Sequence, residues 1–498
     1  MFLLFVEQLL LRGPKLARVE SAAQAFWKNQ APLICQKFDR IHTSAFASKP
    51  GLPPLIRRSI PYSAQLGHQL RLLAPAASHA FWMRPGDRGK EIFSAYPQEI
   101  IKLSNQLLAG FSESQSSRLH CLWHELESAV LKHAAAGGLQ DMPFRGGAAG
   151  FLSYETGKSN GGDIIDFPVS FWGIYLHWLF IDHDRQTAEE ISLLASEPGD
   201  SAWANLLRQA QSPSADAHFS LRSPFTPLTP KKKYIEDFTR IKSYLKAGDC
   251  YQVNYAQAFK ARCRGSSAAA MQRLLEVSDP AYAAWLSLPE GDVISLSPEL
   301  FMQVKGRQIE TRPIKGTAPR LPDTNADARQ ADELQRSPKN RAENLMIVDL
   351  LRHDLGLHAK TGSVKVEKLF AIESLPQVHH MVSTISARLK DDSSTVALLR
   401  DCFPGGSITG APKKRAMEII AELEPTTRSI YCGSIGFINF DGDCLWNIAI
   451  RTLLRTGDDI YAWAGGGIVA DSDCESEYTE CFDKIGALLR ALEAMERP

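Results

Sequence analysis

The sequence predicts a folded protein of mixed α/β or α+β class. From Tyr234 onward, strand-like runs such as residues 292–296, 433–440 and 460–463 alternate with helical patterns, and Gly-rich turns separate them. Of the 498 residues, 44% are hydrophobic and 22% are charged, which is the composition of an ordinary globular protein. At this length we expect two or more domains, because a single core seldom extends over so many residues.

Charge and cysteine content restrict the classes of function. Lys plus Arg (56) balance Asp plus Glu (56), so no overall positive field favours nucleic acid. The nine cysteines include no C-x-x-C pair, and we interpret them as reduced thiols. Residues 1–11 are apolar but shorter than the ~20 residues of a membrane span, and they predict an amphipathic helix. The sequence therefore predicts a soluble, cytoplasmic protein with neither nucleic acid nor membrane as a partner.

An acidic cluster near the C-terminus predicts a divalent-cation site. The glycine triplet 465–467 follows an apolar strand and allows a backbone to approach a ligand closely. Glu477, Glu480 and Lys484 then occupy positions i, i+3 and i+7, which lie on one face of a helix. Stacked carboxylates repel each other, and Mg²⁺ completed by water and substrate oxygens would relieve that repulsion. The alternative is a solvated acidic helix start that the helix dipole favours.

Two further segments offer a metal ligand and an anion site. Glu343 begins the apolar helix 344–355, where it is either a favourable N-terminal charge or a ligand. The loop 404–413 (Pro-Gly-Gly-Ser-Ile-Thr-Gly-Ala-Pro-Lys) leads into a helix whose free backbone N–H groups predict an anion site. Ala411 and Pro412 replace the Gly-Lys-Ser/Thr ending of a phosphate loop, so a carboxylate fits this site as well as a phosphate.

Lys315 and Glu299 have the residue types of a nucleophile and an acid. Lys315 lies in Pro-Ile-Lys-Gly-Thr, and a lysine in a dry pocket has a lowered pKa and a nucleophilic neutral amine. Glu299 ends Ser-Pro-Glu after an apolar strand, where burial would keep it protonated. The alternative for a lone lysine is a solvated surface charge. Neither assignment stands without the other motifs.

Cys250 lies in a segment that loosely resembles the nucleophile turn of a glutaminase. That turn needs glycine two residues after the cysteine, and this chain has Gln252 there. We therefore interpret Cys250 as a small strand residue. The chain is not expected to hydrolyse glutamine by itself.

The chain resembles the chorismate-utilising enzyme family over residues 234 to about 492. The segments that carry the resemblance occur in order and are Gly-Asp-Cys-Tyr-Gln-Val-Asn (248–254), Ser-Pro-Glu (297–299), Pro-Ile-Lys-Gly-Thr (313–317), Glu-Asn-Leu (343–345), Gly-Gly-Ser-Ile-Thr-Gly-Ala-Pro-Lys (405–413) and Gly-Gly-Gly-Ile-Val-Ala-Asp (465–471). Weaker similarity extends back through Pro-Phe-Arg-Gly-Gly-Ala-Ala-Gly (143–150). We therefore divide the chain into an N-terminal extension (1–56), an anthranilate synthase component I-like region (57–211), a polar, proline-rich linker (212–233) and a chorismate-binding domain (234–498).

The resemblance implies antiparallel β-sheets sandwiched between helices, with the active site in a deep central cleft. It implies Glu343 and Glu480 as Mg²⁺ ligands, with Glu477 acting through water and the metal holding the ring carboxylate. The residues implied to bind the enolpyruvyl carboxylate are Arg451, on a predicted strand over residues 447–454, Tyr431 and the backbone of Gly466. Other implied pocket positions are Thr409, Gly410, His380, Lys484 and Gln252. For His380 the alternative is an ordinary core histidine.

Two positions separate the reactions within this family. Isochorismate and salicylate synthases carry a lysine base at the position of Gln252, and glutamine cannot abstract a proton from water, so hydration is disfavoured. Anthranilate synthases carry alanine at the position of Lys315, whereas lysine there implies amination at ring carbon 4. The implied product is 4-amino-4-deoxychorismate, a precursor of p-aminobenzoate and folate. In the implied mechanism Lys315 attacks ring carbon 2, Glu299 protonates the departing 4-hydroxyl, and ammonia adds at carbon 4.

The expected partner is a glutamine amidotransferase. Free ammonia is mostly protonated near neutral pH, and this chain has no glutaminase nucleophile turn. Two alternatives remain open: an anthranilate synthase component I, which forms anthranilate and pyruvate, and a catalytically silent chorismate-binding relative. The presence of Glu299, Lys315, Glu343 and Glu480 argues against the silent relative.

Overall fold

The computed structural model describes residues 55–104, 112–133, 139–156, 165–194, 201–211 and 217–495. The predicted opening helix and nearly all of the predicted N-terminal extension lie outside these residues. None of the helices in the described ranges is long and apolar enough to cross a membrane. The ten α-helices of this part are α1 (Leu66–Leu73), α2 (Ser112–Leu131), α3 (Ala202–Ala210), α4 (Lys231–Ala247), α5 (Ser267–Val277), α6 (Thr324–Arg336), α7 (Pro338–Gly356), α8 (Thr395–Cys402), α9 (Lys413–Leu423) and α10 (Cys474–Glu493).

The strands are short and numerous, and every pairing described between them is antiparallel. They are β1 (Ile56–Ile60), β2 (Ala80–Met83), β3 (Lys90–Ser94), β4 (Glu99–Leu103), β5 (Gly147–Leu152), β6 (Ser170–Tyr175), β7 (His177–Asp182), β8 (Thr187–Ser192), β9 (Phe219–Leu221), β10 (Thr226–Pro227), β11 (Gln252–Gly265), β12 (Ala284–Leu288), β13 (Gly291–Ser295), β14 (Leu300–Lys305), β15 (Gln308–Arg312), β16 (Ile314–Pro319), β17 (Lys365–Ser374), β18 (Val378–Arg388), β19 (Gly410–Ala411), β20 (Ser434–Asn439), β21 (Cys444–Asn447), β22 (Thr452–Thr456) and β23 (Asp459–Ile468).

These strands form two sheets. The larger sheet has thirteen strands in the order β1-β8-β7-β3-β2-β12-β13-β22-β23-β11-β10, with β9 and β19 also pairing with β11. The smaller sheet has ten strands in the order β16-β18-β15-β14-β21-β20-β5-β6-β4, with β17 pairing with β18. Helices pack against both sheets, including α10 on β23, α7 on β18 and α2 on β4. The predicted class, antiparallel sheets with helices packed against them, is confirmed.

Aromatic side chains join the two sheets in one hydrophobic core. Phe144 contacts Trp178 of the larger sheet and Phe437 of the smaller sheet, with ring centroids 5.3 Å away in each case. Phe81 of the larger sheet faces Tyr175 of the smaller one at 6.4 Å. These side chains are buried, so they stabilise the packing of one sheet on the other.

Both sheets contain strands from the predicted N-terminal and C-terminal regions. The pairing of β2 with β12 joins the two regions in the larger sheet, and the pairing of β5 with β20 joins them in the smaller one. Within the predicted linker 212–233, strands β9 and β10 pair with β11, and α4 begins at Lys231. The division into domains stays a prediction, while the sheets run continuously across its proposed boundary.

The predicted strands at 292–296, 433–440 and 460–463 correspond to β13, β20 and part of β23. The predicted strand over residues 447–454 is wrong. Strand β21 ends at Asn447 in the smaller sheet, and β22 begins at Thr452 in the larger sheet. The chain crosses between the sheets in the four residues that separate them, and extended pairing cannot continue across that crossing.

Candidate active site

A cavity of about 750 Å³ is lined by residues of both sheets and of helices α7 and α10. Nine of the predicted site residues line it, although they lie on separate elements of the fold. These nine are Glu299, Lys315, Glu343, His380, Tyr431, Arg451, Glu477, Glu480 and Lys484. The fold therefore brings together the predicted acid, nucleophile, carboxylates and carboxylate-binding arginine around a space of small-molecule size.

Glu299 precedes β14 and is 5% exposed. Its Oε1 accepts a hydrogen bond of 2.7 Å from the Ser407 hydroxyl. Burial raises the pKa of Glu299 to about 7, although the Ser407 hydroxyl, Lys315 and the Ile314 amide all act to lower it. A large fraction of this carboxyl is therefore protonated near neutral pH, as general acid catalysis requires.

Lys315 is partly buried on β16, and its Nζ donates a hydrogen bond of 3.0 Å to the Ser407 carbonyl oxygen. Burial lowers the pKa of Lys315, although the negative charges of Glu299 and Glu343 act to raise it. The shifts at Lys315 and Glu299 therefore favour a neutral amine beside a protonated acid. These two directions suit a nucleophile paired with an acid.

The first two turns of helices α7 and α10 bring carboxylates to the cavity. The Ser337 side chain caps α7 by accepting from the Asn340 N–H at 3.3 Å, and Glu343 follows in the second turn. The Asp473 side chain caps α10 by accepting from the Ser476 N–H at 3.0 Å. These caps satisfy N–H groups that would otherwise lack partners at the helix starts.

Glu477 and Glu480 project from α10 in different environments. Glu477 is 4% exposed, and its Oε1 accepts a hydrogen bond of 2.7 Å from the Ser472 hydroxyl. Burial raises the pKa of Glu477, and the nearby charge of Glu480 adds to the effect. Burial would also raise the pKa of Glu480, but the ammonium groups of Lys484 and Lys339 lower it below its ordinary value. Glu480 is therefore held as a carboxylate.

This donor set fits Mg²⁺, which takes one or two carboxylates and completes its shell with water and substrate oxygens. Glu343 and Glu480 face the same cavity from two helices. In the ranges the structure describes, no three His, Cys, Asp or Glu side chains are grouped closely enough to hold a metal by themselves. The Lys484 Nζ lies 2.6 Å from Glu480 Oε1, so a metal bound to that oxygen competes with the ammonium.

Lys484 of α10 contacts the glycine triplet 465–467 at the end of β23. The Lys484 Nζ donates a hydrogen bond of 2.9 Å to the Gly465 carbonyl oxygen. A Cβ at Gly466 would lie 2.8 Å from Glu477 Oε2, so a larger residue there would displace that carboxylate. Gly465 and Gly467 line the cavity. Gly466 lies between them, and its backbone is close to the carboxylates of Glu477 and Glu480.

Arg451 lies at the crossing between β21 and β22 with a φ of 51°, which is unusual for a residue other than glycine. Such backbone strain persists only where the surrounding structure imposes it. Burial lowers the pKa of Arg451. Its guanidinium makes no ion pair within the described part of the chain, which leaves it free to bind an anionic ligand. The buried ring of Tyr431, which also lines the cavity, stacks on Trp463 with ring centroids 6.3 Å apart.

His380 is buried on β18 with its Nδ1 2.8 Å from the Thr317 hydroxyl. Burial, with a smaller contribution from the charge of Arg451, lowers the pKa of His380 to about 4. The imidazole is therefore neutral at physiological pH. Its Nε2 has no hydrogen-bond partner among the described residues, and the side chain lines the cavity. A bound ligand can supply the missing partner.

Thr409, Gly410 and Gln252 do not line the cavity. The Thr409 hydroxyl donates to the Gly405 carbonyl oxygen at 3.2 Å, so its proton is used within the loop. Gly410 has a φ of 139°, and a Cβ there would collide with the Gln252 carbonyl oxygen. The Gln252 side chain is fully buried beneath Gly467, where a Cβ would lie 2.6 Å from Gln252 Nε2. Their predicted roles stay predictions.

Several lining residues were not assigned a role from the sequence. Those with polar or aromatic side chains are Asn254, Thr317, Lys339, Asn340, Ser407, Trp463 and Asp483. Ser407 and Asn254 occur within the motifs 405–413 and 248–254, so the motifs themselves were a signal. Lys339 lies four residues before Glu343 on α7, a spacing that places both on one helix face.

The chain belongs to the family of chorismate binding enzymes, whose model matches residues 78–490. It is 47% identical over 361 residues to aminodeoxychorismate synthase component 1 of Escherichia coli (strain K12), covering 71% of this chain and 78% of that protein. The protein of the same name from Bacillus subtilis (strain 168) is 37% identical over 416 residues, 80% of this chain and 86% of that one.

A solved structure has the same architecture. The crystal structure of anthranilate synthase component I from Streptococcus pneumoniae TIGR4 matches with a TM-score of 0.66 at 25% identity, covering 90% of this chain and 94% of that one. The resemblance and the fold class predicted from the sequence are therefore confirmed.

Proposed function

We propose that this chain is the chorismate-binding subunit of an aminodeoxychorismate synthase, a transferase that replaces the 4-hydroxyl of chorismate with an amino group. The observation that carries the proposal is the meeting of Lys315 and Glu299 at one residue, Ser407, beside the cavity. A reaction in which ammonia attacks the ring directly needs no amine nucleophile from the protein. A half-buried lysine beside a protonated acid is what a two-stage displacement needs.

The rest of the cavity provides groups to hold the two carboxylates of chorismate. Arg451 and Tyr431, with the backbone at Gly466, bind the enolpyruvyl carboxylate in this proposal. Glu343 and Glu480, with Glu477 acting through water, would hold Mg²⁺, which would neutralise the charge of the ring carboxylate. His380 and Lys484 complete the proposed pocket. Thr409, Gly410 and Gln252 were also assigned to it from the sequence, although they do not line the cavity.

In the first stage the neutral amine of Lys315 forms a bond to ring carbon 2. The electron pairs of the ring shift, and the bond from carbon 4 to its hydroxyl breaks. Glu299 gives its proton to that hydroxyl, which leaves as water because hydroxide itself is a poor leaving group. Glu299 becomes a carboxylate, and the lysine is covalently attached to the ring.

In the second stage ammonia forms a bond to carbon 4, and the bond from Lys315 to carbon 2 breaks. Glu299 accepts a proton from the added ammonium group and returns to its acid form, while Lys315 returns as the neutral amine. Two displacements place the amino group on the carbon and the face that carried the hydroxyl. The net reaction consumes chorismate and ammonia and releases 4-amino-4-deoxychorismate and water.

Ammonia comes from a glutamine amidotransferase partner in this proposal, because most free ammonia is protonated near neutral pH. The name "component 1" of the similar proteins is consistent with a second component. The product would enter p-aminobenzoate and folate synthesis. The isolated chain should turn over chorismate with ammonium salt but not with glutamine. Glutamine-dependent turnover by the pure chain contradicts the need for a partner.

Product identification tests the reaction. The purified chain is incubated with chorismate, Mg²⁺ and ammonium salt, and the products are separated and identified by mass spectrometry. We expect 4-amino-4-deoxychorismate without release of pyruvate. Anthranilate with an equal amount of pyruvate identifies an anthranilate synthase instead, and tight chorismate binding without turnover identifies a silent relative.

A further inference from the structure

The short turn Gly406–Ile408 lies between the proposed acid and the proposed nucleophile, and Ser407 contacts both. Its Oγ donates a hydrogen bond of 2.7 Å to Glu299 Oε1, and its carbonyl oxygen accepts one of 3.0 Å from Lys315 Nζ. Ser407 is 7% exposed and lines the cavity. One residue therefore provides a side-chain donor to one reacting group and a main-chain acceptor to the other.

The turn packs tightly against its neighbours. A Cβ at Gly405 would lie 2.7 Å from Ile448 Cδ1, and a Cβ at Gly406 would lie 2.5 Å from Leu350 Cδ2. Only glycine lets the chain pass between these two side chains without displacing them. The two glycines therefore allow the turn to bring Ser407 to the buried carboxyl.

Hydrogen bonds to the last residue of the turn, Ile408, hold the turn in place. The Ile408 carbonyl oxygen accepts from Asn254 Nδ2 at 2.9 Å and from Arg428 Nη1 at 3.0 Å. Arg428 is fully buried and is itself fixed by Glu424, whose Oε2 accepts from Arg428 Nε at 2.8 Å. A buried, fully paired network of this kind rigidifies the backbone that it contacts.

We infer that Ser407 is a positioning residue of the amination reaction, with its hydroxyl orienting Glu299 and its carbonyl orienting Lys315. This inference rests on the proposed function. Because Glu299 Oε1 accepts from the Ser407 hydroxyl, the proton that Glu299 transfers is carried by Oε2. Because an N–H of Lys315 points at the Ser407 carbonyl, the lone pair of the neutral amine points elsewhere and is available to ring carbon 2.

The hydroxyl also favours the proton transfer itself. When Glu299 gives its proton to the leaving hydroxyl, the new carboxylate already has a donor at Oε1, and a hydrogen bond to the charged form stabilises that form. Within the described residues, the other titratable groups that face Glu299 are Lys315 from β16 and the Cys432 thiol. Both remain when the Ser407 hydroxyl is removed.

The test compares Ser407→Ala with wild type in steady-state kinetics over a range of pH, with chorismate varied and the ammonia concentration held constant. Ser407→Ala keeps the carbonyl that contacts Lys315 and removes only the donor to Glu299. We expect kcat to fall about 10- to 100-fold with little change in KM, because a misplaced acid slows chemistry more than binding. We also expect the alkaline limb of the kcat profile to move to higher pH, because Glu299 retains its proton more strongly.

Two variants separate positioning from folding. Ser407→Thr keeps a hydroxyl, so the alkaline limb should stay at the wild-type pH whatever happens to kcat. Ser434→Ala removes another buried hydroxyl, which donates to the Asn447 carbonyl oxygen at 2.6 Å and does not line the cavity. It should leave both kcat and the limb unchanged.

The outcomes distinguish this inference from the proposed function. Wild type that forms 4-amino-4-deoxychorismate, with Ser407→Ala showing an unmoved alkaline limb, overturns the positioning role alone. A loss of kcat that Ser434→Ala shares overturns it as well. A wild-type chain that forms no amino product overturns both.

Discussion

The two sides of the cavity are built differently. On the sheet side, Glu299 is 5% exposed, and both it and Lys315 are hydrogen-bonded to Ser407. On the helix side, the side chain of Glu480 is 46% exposed and is paired with Lys484 of the same helix. The proposed catalytic pair is therefore oriented before any ligand binds, whereas one of the predicted metal ligands, Glu480, is paired with an ammonium group of the protein.

This difference in burial and pairing indicates how each side of the cavity binds its ligand. An exposed ion pair such as Glu480 with Lys484 contributes about 0–1 kcal/mol, so a divalent cation can displace the lysine. The Glu299 carboxyl has no such freedom, because burial and the Ser407 hydroxyl define its position and its protonation. We expect substitutions on the sheet side to abolish chemistry and those on the helix side to change the dependence on metal.

Lys315 provides the strongest test of the sheet side. Lys315→Ala and Lys315→Arg should each lower kcat by on the order of 10⁴-fold, because arginine keeps the charge but has no neutral amine to attack the ring. Intact-protein mass spectrometry after incubation with chorismate and Mg²⁺ without ammonia should show an adduct at Lys315 in wild type only. Lys368→Arg, on the exposed part of β17, is the matched control. Near-normal turnover by Lys315→Arg would show that the lysine is only a binding charge.

Glu299 tests whether the buried acid is needed. Glu299→Gln should lower kcat by about 10²- to 10³-fold, because the amide cannot protonate the leaving hydroxyl. Glu299 has a pKa of about 7, and in the proposed mechanism it acts in its protonated form, so its contribution should be present below that pH and lost as pH rises through it. The measurement is the pH dependence of kcat. A variant that keeps the wild-type alkaline limb shows that this limb belongs to another group.

Substitutions on the helix side should change the dependence of activity on Mg²⁺. Glu343→Gln and Glu480→Gln should each raise the Mg²⁺ concentration for half-maximal activity about 10- to 100-fold, and Glu477→Gln should have a smaller effect because it acts through water. Titration calorimetry with Mg²⁺ and chorismate measures the same loss without turnover. Glu475→Gln, on the exposed side of the same helix turn, is the control. Unchanged Mg²⁺ dependence in Glu343→Gln and Glu480→Gln removes the metal assignment.

The smallest expected effect is on stability, which tests the raised pKa of Glu299 independently of activity. Its pKa is raised from 4.5 to about 7 by burial, so the folded state binds a proton more tightly than the unfolded state. At low pH this tighter proton binding stabilises the folded state relative to a carboxyl that stays ionised. The stabilisation is lost as the pH rises from about 4.5 to 7. Glu299→Gln should therefore be more stable than wild type at pH 8 by on the order of 1 kcal/mol and show a smaller gain at pH 5. Thermal denaturation at both pH values measures the difference, and equal gains at both contradict a raised pKa.

The sequence by itself determined the local features of the site. Spacing placed Glu477, Glu480 and Lys484 on one face of a helix, and α10 confirms that helix together with the contact of Glu480 with Lys484. Spacing did not place Lys315 beside Glu299, although their residue types were visible in two separate short motifs. Such features depend on neighbours within a few residues, and backbone periodicity alone fixes their geometry.

Only the tertiary structure decided how distant segments meet. Ser407 contacts Glu299 and Lys315 across separations of 108 and 92 residues, and no local pattern specifies those contacts. The predicted strand over residues 447–454 failed for a related reason, because the chain leaves the smaller sheet and enters the larger one there, with Arg451 in a left-handed conformation at the crossing. Local sequence sets the period of a strand. The packing of the two sheets, which depends on the whole core, decides where that strand must end.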